Sequence, residues 1–184
     1  MRFRRAVNSD AGAIVALVES AYRGPSSRAG WTTEADLLDG QRTDEAEVAQ
    51  VIDDPDSRIL LVDDAKGLLA TLLIRDEGNR VYIGMFAVRP AAQGQGVGRA
   101  LLAEAERISH DELGRSQARM TVLTARPELI AWYERRGYQR SDEREPFPYG
   151  DVRFGLPRRG DLVFQVLVKA LDGKDGDVDV DVGY

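Results

Sequence analysis

The most informative absence in this 184-residue chain is cysteine, of which there is none. Disulfide bonds, metal sites with thiolate ligands and cysteine nucleophiles are therefore excluded. Histidine is nearly absent as well, since the only one, His110, falls near the far end of a predicted helix and is expected to lie at the surface. We expect no metal centre.

Long apolar segments are also missing. No run of residues approaches the roughly 20 that a membrane-spanning helix needs. The basic start, residues 1–5, leads into no apolar core, so it is not typical of a secretory signal. These absences predict a cytoplasmic protein with no membrane partner, and the lack of cysteine agrees with a reducing compartment.

Charge of one sign is concentrated at the end of the chain. The formal net charge is −6, and residues 172–184 hold five aspartates and one lysine. Nucleic-acid binding gains no support from such a balance. The alternation of Asp with Gly or Val is typical of a disordered acidic tail, and no glutamate closes a calcium loop at the expected spacing.

Hydrophobic periodicity predicts strands and helices along residues 1–171, which we interpret as one domain. A mixed α/β (α+β) fold is expected, with a mostly antiparallel central sheet of six to seven strands flanked by helices. Short turns should join strands 58–62, 67–74 and 81–88 as antiparallel hairpins. Further strands are expected at residues 3–7, 119–124, from 138 and at 162–168, and helices at 10–22, 32–38, 45–52, from 97 and at 127–136.

Three glycines at alternate positions, Gly94, Gly96 and Gly98, join a strand to a helix. Such a junction can bring bare backbone N–H groups to a helix start, where they bind phosphate. A dinucleotide-binding fingerprint would need a glycine where Arg99 stands, and a P-loop would need a lysine followed by Ser or Thr. A ligand-free turn needs fewer glycines, because each costs roughly 0.5–1 kcal/mol of backbone entropy. The segment therefore predicts a site for a phosphate-bearing cofactor.

The stretch from Gln93 to Gly98 also fits the pattern Q-x-x-G-x-G, and Val88-x-Pro90 precedes it. Together these resemble the acetyl-CoA motif of the GNAT superfamily of N-acetyltransferases. Residues 132–138, with Trp132, Tyr133, Gly137 and Tyr138, resemble the second motif of that superfamily, one β-α unit later. The resemblance covers Arg2 to Lys169 and implies a GNAT-like fold with acetyl-CoA as co-substrate.

The resemblance also implies where acetyl-CoA would bind. The strand before the motif should splay from its neighbour at a bulge, for which Gly84 is the candidate. Arg99 could add a charge-assisted contact to phosphate. The residues implied in binding the pantetheine arm are Phe86, Ala87 and Val88, and those implied in binding the pyrophosphate are Gln93, Gly94, Gln95, Gly96, Val97, Gly98 and Arg99.

The implied reaction is direct attack of an amine on the thioester, without a covalent enzyme intermediate. Tyr133 stands where the family has its general acid, and the alternative is a core tyrosine. Some relatives carry a glutamate that acts as the general base near the position of Tyr82. Tyrosine has no carboxylate, so this chain lacks that base. Candidates for the base by region alone are Glu34, Asp36, Glu143 and Glu145.

The acceptor pocket implied by the resemblance is built by the first helices and the last strands, and Arg28, Trp31 and Glu34 are its predicted contacts. Arginines there suggest an anionic acceptor, whereas Glu34 and Asp36 suggest a cationic one. We predict transfer of an acetyl group to a primary amine of a small metabolite or peptide. The alternatives are acetylation of a protein N-terminus or lysine, and a non-catalytic acyl-CoA sensor. Some relatives pair through their last strands, which suggests a homodimer as well.

Overall fold

The computed structural model describes residues 1–172 of the chain. Its α-helices are α1 (Ala11–Tyr22), α2 (Gly24–Ser27), α3 (Glu45–Asp53), α4 (Val97–Arg107), which continues into a π-helical turn, and α5 (Pro127–Glu134). Its strands are β1 (Phe3–Arg5), β2 (Leu38–Asp39), β3 (Ser57–Asp64), β4 (Gly67–Asp76), β5 (Val81–Val88), β6 (Gln117–Leu123), β7 (Gln139–Pro146), β8 (Leu156–Pro157) and β9 (Val163–Ala170).

Seven strands form one sheet in the order β1-β3-β4-β5-β6-β9-β7, and β2 pairs with β8 in a small separate ribbon. All pairs in the large sheet are antiparallel except β5 with β6. Short connections favour antiparallel neighbours, whereas α4 carries the chain across to the parallel strand β6. The predicted mixed, mostly antiparallel sheet of six to seven strands flanked by helices is confirmed.

The parallel pair β5–β6 holds together only at its beginning. Val81 pairs with Ala118 and Tyr82 with Arg119, after which the two strands are no longer paired. Strand β5 stays with β4, while β6 pairs with β9 along its whole length. The sheet therefore opens into a cleft beside the second half of β5.

A bulge in β5 lies at the mouth of this cleft. Leu73 faces Gly84 and Thr71 faces Ala87, so that Met85 and Phe86 together oppose one residue of β4. Met85 has a φ of 44°, in the left-handed region that a non-glycine side chain rarely adopts. The bulge thus begins one residue after Gly84, the glycine from which it was expected. Gly84 itself makes room for a ring, because a Cβ there would lie 2.6 Å from Tyr82.

Helices cover both faces of the sheet, and alternate side chains of β3 pack against the helices on one face or the other. Leu60 and Val62 pack under α4 and α5, whereas Ile59 and Leu61 pack under α1 and α3. Successive side chains of a strand point to opposite faces, so a strand buried on both sides is apolar throughout. The cleft between β5 and β6 is therefore held by two packed layers.

One predicted element is wrong. The helix expected over residues 32–38 is absent: residues 32–37 are irregular with a turn at 35–37, and Leu38 begins β2. The hydroxyl of Thr33 accepts a hydrogen bond from the N–H of Ala35, which offers the backbone an alternative to a helical bond. Pro25 occupies the first turn of α2, where its missing N–H costs no helical hydrogen bond. Residues 173–184, nearly all of the predicted acidic tail, lie outside the described residues.

Within residues 1–172, no helix has both the length and the apolar character needed to cross a membrane.

The core under α4 can be tested with two leucine truncations. Leu101 is fully buried, so Leu101→Ala should lower the free energy of unfolding by about 2–5 kcal/mol. Leu156 is exposed, and the same truncation there should change it by less than about 0.5 kcal/mol. Urea unfolding of both variants checks the difference, and equal losses would contradict the described packing.

Candidate active site

Two cavities adjoin where β5 and β6 separate. The first has a volume of about 490 Å³ and the second about 420 Å³. They share five lining residues, which we call the shared wall: Tyr22, Phe86, Arg126, Leu129 and Tyr133. A ligand in one cavity can therefore reach a ligand in the other only past these side chains.

The glycine segment lines the first cavity. Gly94 and Gly96 have φ values of 79° and 82°, so both need the left-handed freedom of glycine. The first bond of α4 runs from the N–H of Ala100 to the carbonyl of Gly96, and earlier N–H groups of the helix have no intrahelical partner. Together with the helix dipole, these N–H groups suit an anion.

Gly98 serves a different purpose. A Cβ at this position would lie 3.5 Å from the side chains of Phe86 and Val88, so the helix start packs closely on β5. Val97 differs from the other predicted cofactor residues because its side chain is buried in the core and does not line the cavity. Predicted residues that do line it are Phe86, Ala87, Val88, Gln93, Gly94, Gln95, Gly96, Gly98 and Arg99.

The side chain of Gln93 links this segment to the loop after α2. Its amide group donates to the carbonyl of Val88 at 3.1 Å, and its oxygen accepts from the N–H of Trp31 at 3.0 Å. Gly30 leaves space for it, since a Cβ there would lie 2.5 Å from the amide oxygen. The link explains why Trp31, a predicted acceptor contact, lies at the first cavity.

Three arginines line the first cavity, Arg99, Arg126 and Arg136, and the last two were missed from the sequence. The guanidinium of Arg136 lies 3.5 Å from the centre of the Trp132 ring and donates to the carbonyl of Trp132. Burial lowers the pKa of Arg136, and the charges of Arg135 and Arg99 lower it further. An anion held by Arg99 and Arg136 would relieve this repulsion.

Tyr133 lies in the shared wall, buried among other rings. The ring centroids of Trp132 and Tyr138 lie 5.0 and 5.7 Å from its own. Burial is the main cause that raises the pKa of the Tyr133 phenol well above its usual value. Its hydroxyl is therefore protonated at neutral pH, which a hydrogen-bond donor requires.

Tyr22, another residue without a role in the sequence interpretation, fixes the bulged strand. Its hydroxyl donates to the carbonyl of Phe86 at 2.8 Å. The guanidinium carbons of Arg42 and Arg126 lie 5.6 and 5.8 Å from the centre of its ring. The shared wall is thus held by a hydrogen bond and by two cations packed near one aromatic ring.

Glu34, a predicted acceptor contact and candidate base, lines the second cavity as part of an ion cluster. Its two oxygens accept from Arg23 at 2.7 Å and from Arg126 at 2.8 Å. Burial raises the pKa of Glu34, but Arg126, Arg42 and Arg23 outweigh it, and the net shift is downward. A carboxylate that is ionised but engaged by two arginines is poorly placed to accept a proton.

The far end of the second cavity is built around Arg119. It binds Glu77 through two hydrogen bonds of 2.8 and 2.9 Å, and Glu145 through one of 2.9 Å. Tyr82, near whose position some GNAT relatives are expected to carry a glutamate, lies beneath the Arg119 guanidinium. Among the candidate bases, Glu145 lines this cavity, whereas Asp36 and Glu143 line neither.

The remaining predicted acceptor contact, Arg28, lies elsewhere. It forms an exposed ion pair with Asp36 at 2.7 Å and lines neither cavity. Arg153, which could also have bound a carboxylate, pairs with Asp151. Within residues 1–172, no cluster of three or more potential metal ligands occurs.

Comparison with known proteins finds a family match for the central part of the chain. Residues 55–140, from before β3 to the start of β7, match the family model described as the acetyltransferase (GNAT) domain. This segment is therefore identified as a GNAT acetyltransferase domain. The matched segment includes the bulged strand, the glycine segment and Tyr133. A search of curated proteins finds no significant match.

Solved structures share the GNAT fold with this chain. Ribosomal-protein-S18-alanine N-acetyltransferase from Escherichia coli superposes with a TM-score of 0.67 at 15% identity, covering 95% of this chain and 97% of the other. A variant of spermidine N-acetyltransferase from Vibrio cholerae gives 0.64 at 15%, covering 93% and 95%. Nourseothricin acetyltransferase gives 0.66 at 20%, covering 93% and 98%. At these identities the likeness shows the fold alone.

The left-handed glycines can be tested by binding, since GNAT proteins normally use acetyl-CoA. Gly96→Ala should raise the acetyl-CoA dissociation constant about tenfold, because a non-glycine residue costs about 1–2 kcal/mol there and the exposed loop will relax. Gly78, in the β4–β5 turn, has a φ of 87° and equally open surroundings. Gly78→Ala is therefore the matched control, with the same strain and unchanged affinity by calorimetry. Equal affinities in both variants would argue against the phosphate role.

Proposed function

We propose that this chain transfers the acetyl group of acetyl-CoA to a primary amine of a small metabolite or peptide. The observation that carries the proposal is the pair of adjoining cavities with Tyr133 and Phe86 in the wall between them. A two-substrate transfer needs two sites that meet at the reacting atoms, because proximity supplies much of the rate enhancement.

Acetyl-CoA fits the first cavity on the chemistry of its lining. The backbone of the glycine segment, with Arg99 and Arg136, would hold the pyrophosphate. The backbone of Phe86, Ala87 and Val88 would hold the pantetheine arm, because β6 has left this edge of β5 unpaired. When bound, acetyl-CoA supplies an activated acetyl group as a thioester.

The reaction forms one bond and breaks one. The amine nitrogen attacks the thioester carbon, the new C–N bond forms and the C–S bond breaks. The amine gives up a proton, and the sulfur leaves as a thiolate that takes up a proton in turn. Backbone N–H groups at the bulge near Phe86 would stabilise the oxyanion on the attacked carbon.

Tyr133 is proposed to assist the departing sulfur as a hydrogen-bond donor. A thiol has a pKa of about 8.5, below that of tyrosine, so complete proton transfer from a tyrosine to a thiolate is uphill. The upward shift of the Tyr133 pKa makes it more so. A hydrogen bond to sulfur needs no transfer and strengthens as negative charge develops.

Loss of the amine proton is the harder step. An amine with a pKa of about 10.4 is neutral in about one molecule in 10³ at pH 7, a deficit of roughly 4.6 kcal/mol. Glu34 is engaged by Arg23 and Arg126, so we propose that no carboxylate takes this proton directly. The positive charge of Arg126 in the shared wall instead disfavours an ammonium ion beside it and lowers the amine pKa.

A CoA-release assay with a panel of amines, amino acids and peptides tests the proposed function. Release that depends on an amine is the expected result. Tight acetyl-CoA binding without turnover on any amine would favour the alternative of a non-catalytic sensor. Absence of acetyl-CoA binding in calorimetry would overturn the assignment altogether.

Removal of the Tyr133 hydroxyl separates catalysis from packing. Tyr133→Phe should lower kcat about 10²-fold, the usual scale for a lost acid or donor group, and leave the acetyl-CoA affinity nearly unchanged. Tyr138 is also buried and contacts the Tyr133 ring, but it lines neither cavity, so Tyr138→Phe is the matched control. Undiminished kcat together with lowered stability in Tyr133→Phe would assign Tyr133 to the core.

The pH dependence of kcat should show one rising limb. Below the pKa of the bound amine the rate should rise about tenfold per pH unit, because only the neutral amine attacks. The plateau should begin below the solution pKa of the amine, and the raised pKa of Tyr133 keeps its phenol protonated throughout. Steady-state rates from about pH 6 to about pH 10 test this, and a falling limb in that range would be inconsistent with a protonated Tyr133 as donor.

A further inference from the structure

The second cavity carries more positive than negative charge. Its lining includes five arginines and three glutamates: Arg23, Arg42, Arg75, Arg119, Arg126, Glu34, Glu77 and Glu145. The charges are unevenly distributed, because two of the glutamates bind Arg119 at the far end. Next to the shared wall, Glu34 is the carboxylate of the cavity lining that acts on Arg23, Arg42 and Arg126. From outside this lining, Glu47 acts on Arg42 and Asp39 acts on Arg23. The excess of positive charge therefore lies where the reaction is proposed to occur.

Arg42 is the arginine of this group whose guanidinium forms no direct ion pair in the described residues. Its backbone is anchored, because the N–H groups of Arg42 and Thr43 donate to one carboxylate oxygen of Glu19. Its guanidinium lies 5.6 Å from the centre of the Tyr22 ring and lines the cavity. Among residues 1–172, no carboxylate lies within ion-pair distance of it and its side chain makes no hydrogen bond. Glu34 and Glu47 act on it at longer range and raise its pKa in spite of burial.

Buried donors of its neighbours are also without partners. Within the described residues, the Nε and one Nη of Arg23 and the Nε of Arg126 make no hydrogen bond. Both side chains are more than nine-tenths buried. Charged groups taken out of water are costly unless an opposite charge and hydrogen bonds compensate them. Glu34 and Glu47 favour the charged form of Arg42 at longer range. Since Arg42 has no direct ion pair within residues 1–172 and donors of Arg23 and Arg126 are unpartnered there, the site is suited to an anion that contacts these groups directly.

On the basis of the proposed acetyltransferase function, we infer that the acceptor amine carries a carboxylate and that Arg42, with Arg126, binds it. A guanidinium presents parallel N–H donors that match the two oxygens of a carboxylate. Because Arg126 lies in the shared wall and Arg42 beside Tyr22, a carboxylate bound there would keep a nearby amine close to the thioester. The acceptor class is therefore an amino acid rather than an unsubstituted amine.

The same charges select against other amines. A diamine or polyamine would bring a second cation beside Arg42 and Arg126, and like charges in a desolvated site repel. A simple alkylamine would leave the excess positive charge unneutralised. Repulsion of additional cations and attraction of a carboxylate therefore both favour an amino acid as the acceptor.

Matched acceptors test this inference. Wild-type protein would be assayed for CoA release with α-, β- and γ-amino acids, each beside its carboxamide and its decarboxylated amine. At least one acid should exceed its amide and its amine in kcat/KM by about 10- to 100-fold, the range for a charge-assisted hydrogen bond. The three spacings report how far the carboxylate lies from the reacting nitrogen.

Arg42→Gln should lower kcat/KM for that acid at least about tenfold, mainly through KM, and leave the amide and the acetyl-CoA affinity unchanged. Arg42→Lys should recover part of the loss, because it keeps the charge but not the paired donors. Arg140, whose exposed side chain pairs with Glu134, is the matched control, and Arg140→Gln should behave as wild type. Calorimetry of the N-acetylated acid in the presence of CoA measures binding without turnover. The affinity for this acid should fall in Arg42→Gln and stay unchanged in Arg140→Gln.

The outcomes separate this inference from the proposed function. CoA release with amides or simple amines at rates equal to those of the acids would overturn the carboxylate assignment and leave the acetyltransferase in place. An Arg42→Gln variant that keeps its preference for the acid and its affinity for the acetylated product would also overturn it. Absence of CoA release with every acceptor would remove the proposed function and this inference with it.

Discussion

The separation of β5 from β6 is the constraint on which the rest of the site depends. A continuous sheet would satisfy the backbone of Phe86 through Val88 with the neighbouring strand and leave no cleft. The bulge at Met85 and the hydrogen bond from Tyr22 to Phe86 hold the strand away from β6. Packed helices on both faces stabilise the sheet on either side of the opening. The free backbone edge is thus available to a ligand without loss of the core.

Electrostatics divide the site into two parts with different tasks. In the first cavity, positive charge comes from a helix start and from Arg99 and Arg136, which are accessible to a large anionic ligand. In the second cavity, the positive charge belongs to the buried side chains of Arg23 and Arg126, which both form ion pairs with Glu34. The first arrangement favours binding, whereas the second favours a neutral amine and a developing negative charge next to the shared wall.

The sequence was sufficient where local signals decide the structure. Apolar alternation and short turns predicted the hairpins of β3, β4 and β5. Alternating glycines predicted the strand-to-helix junction, where Gly94 and Gly96 have left-handed φ values, because φ preference is a property of the residue itself. The helix expected over 32–38 failed because the side chain of Thr33 competes for backbone hydrogen bonds. The cluster of Arg23, Glu34 and Arg126 was not predictable, since its members are distant in sequence and only the fold brings them together. The site residues themselves stay predictions until they are tested.

The shared wall has a consequence for how such a protein can diversify. Its five residues line both cavities, so under the proposed function each contacts two ligands, and a substitution that improves the fit to one of them disturbs the fit to the other. Residues that line only the second cavity, such as Arg42 and Arg119, can change without affecting the first cavity. New acceptor preferences can therefore arise through changes at the outer end of the second cavity, while the wall and the use of a common donor persist.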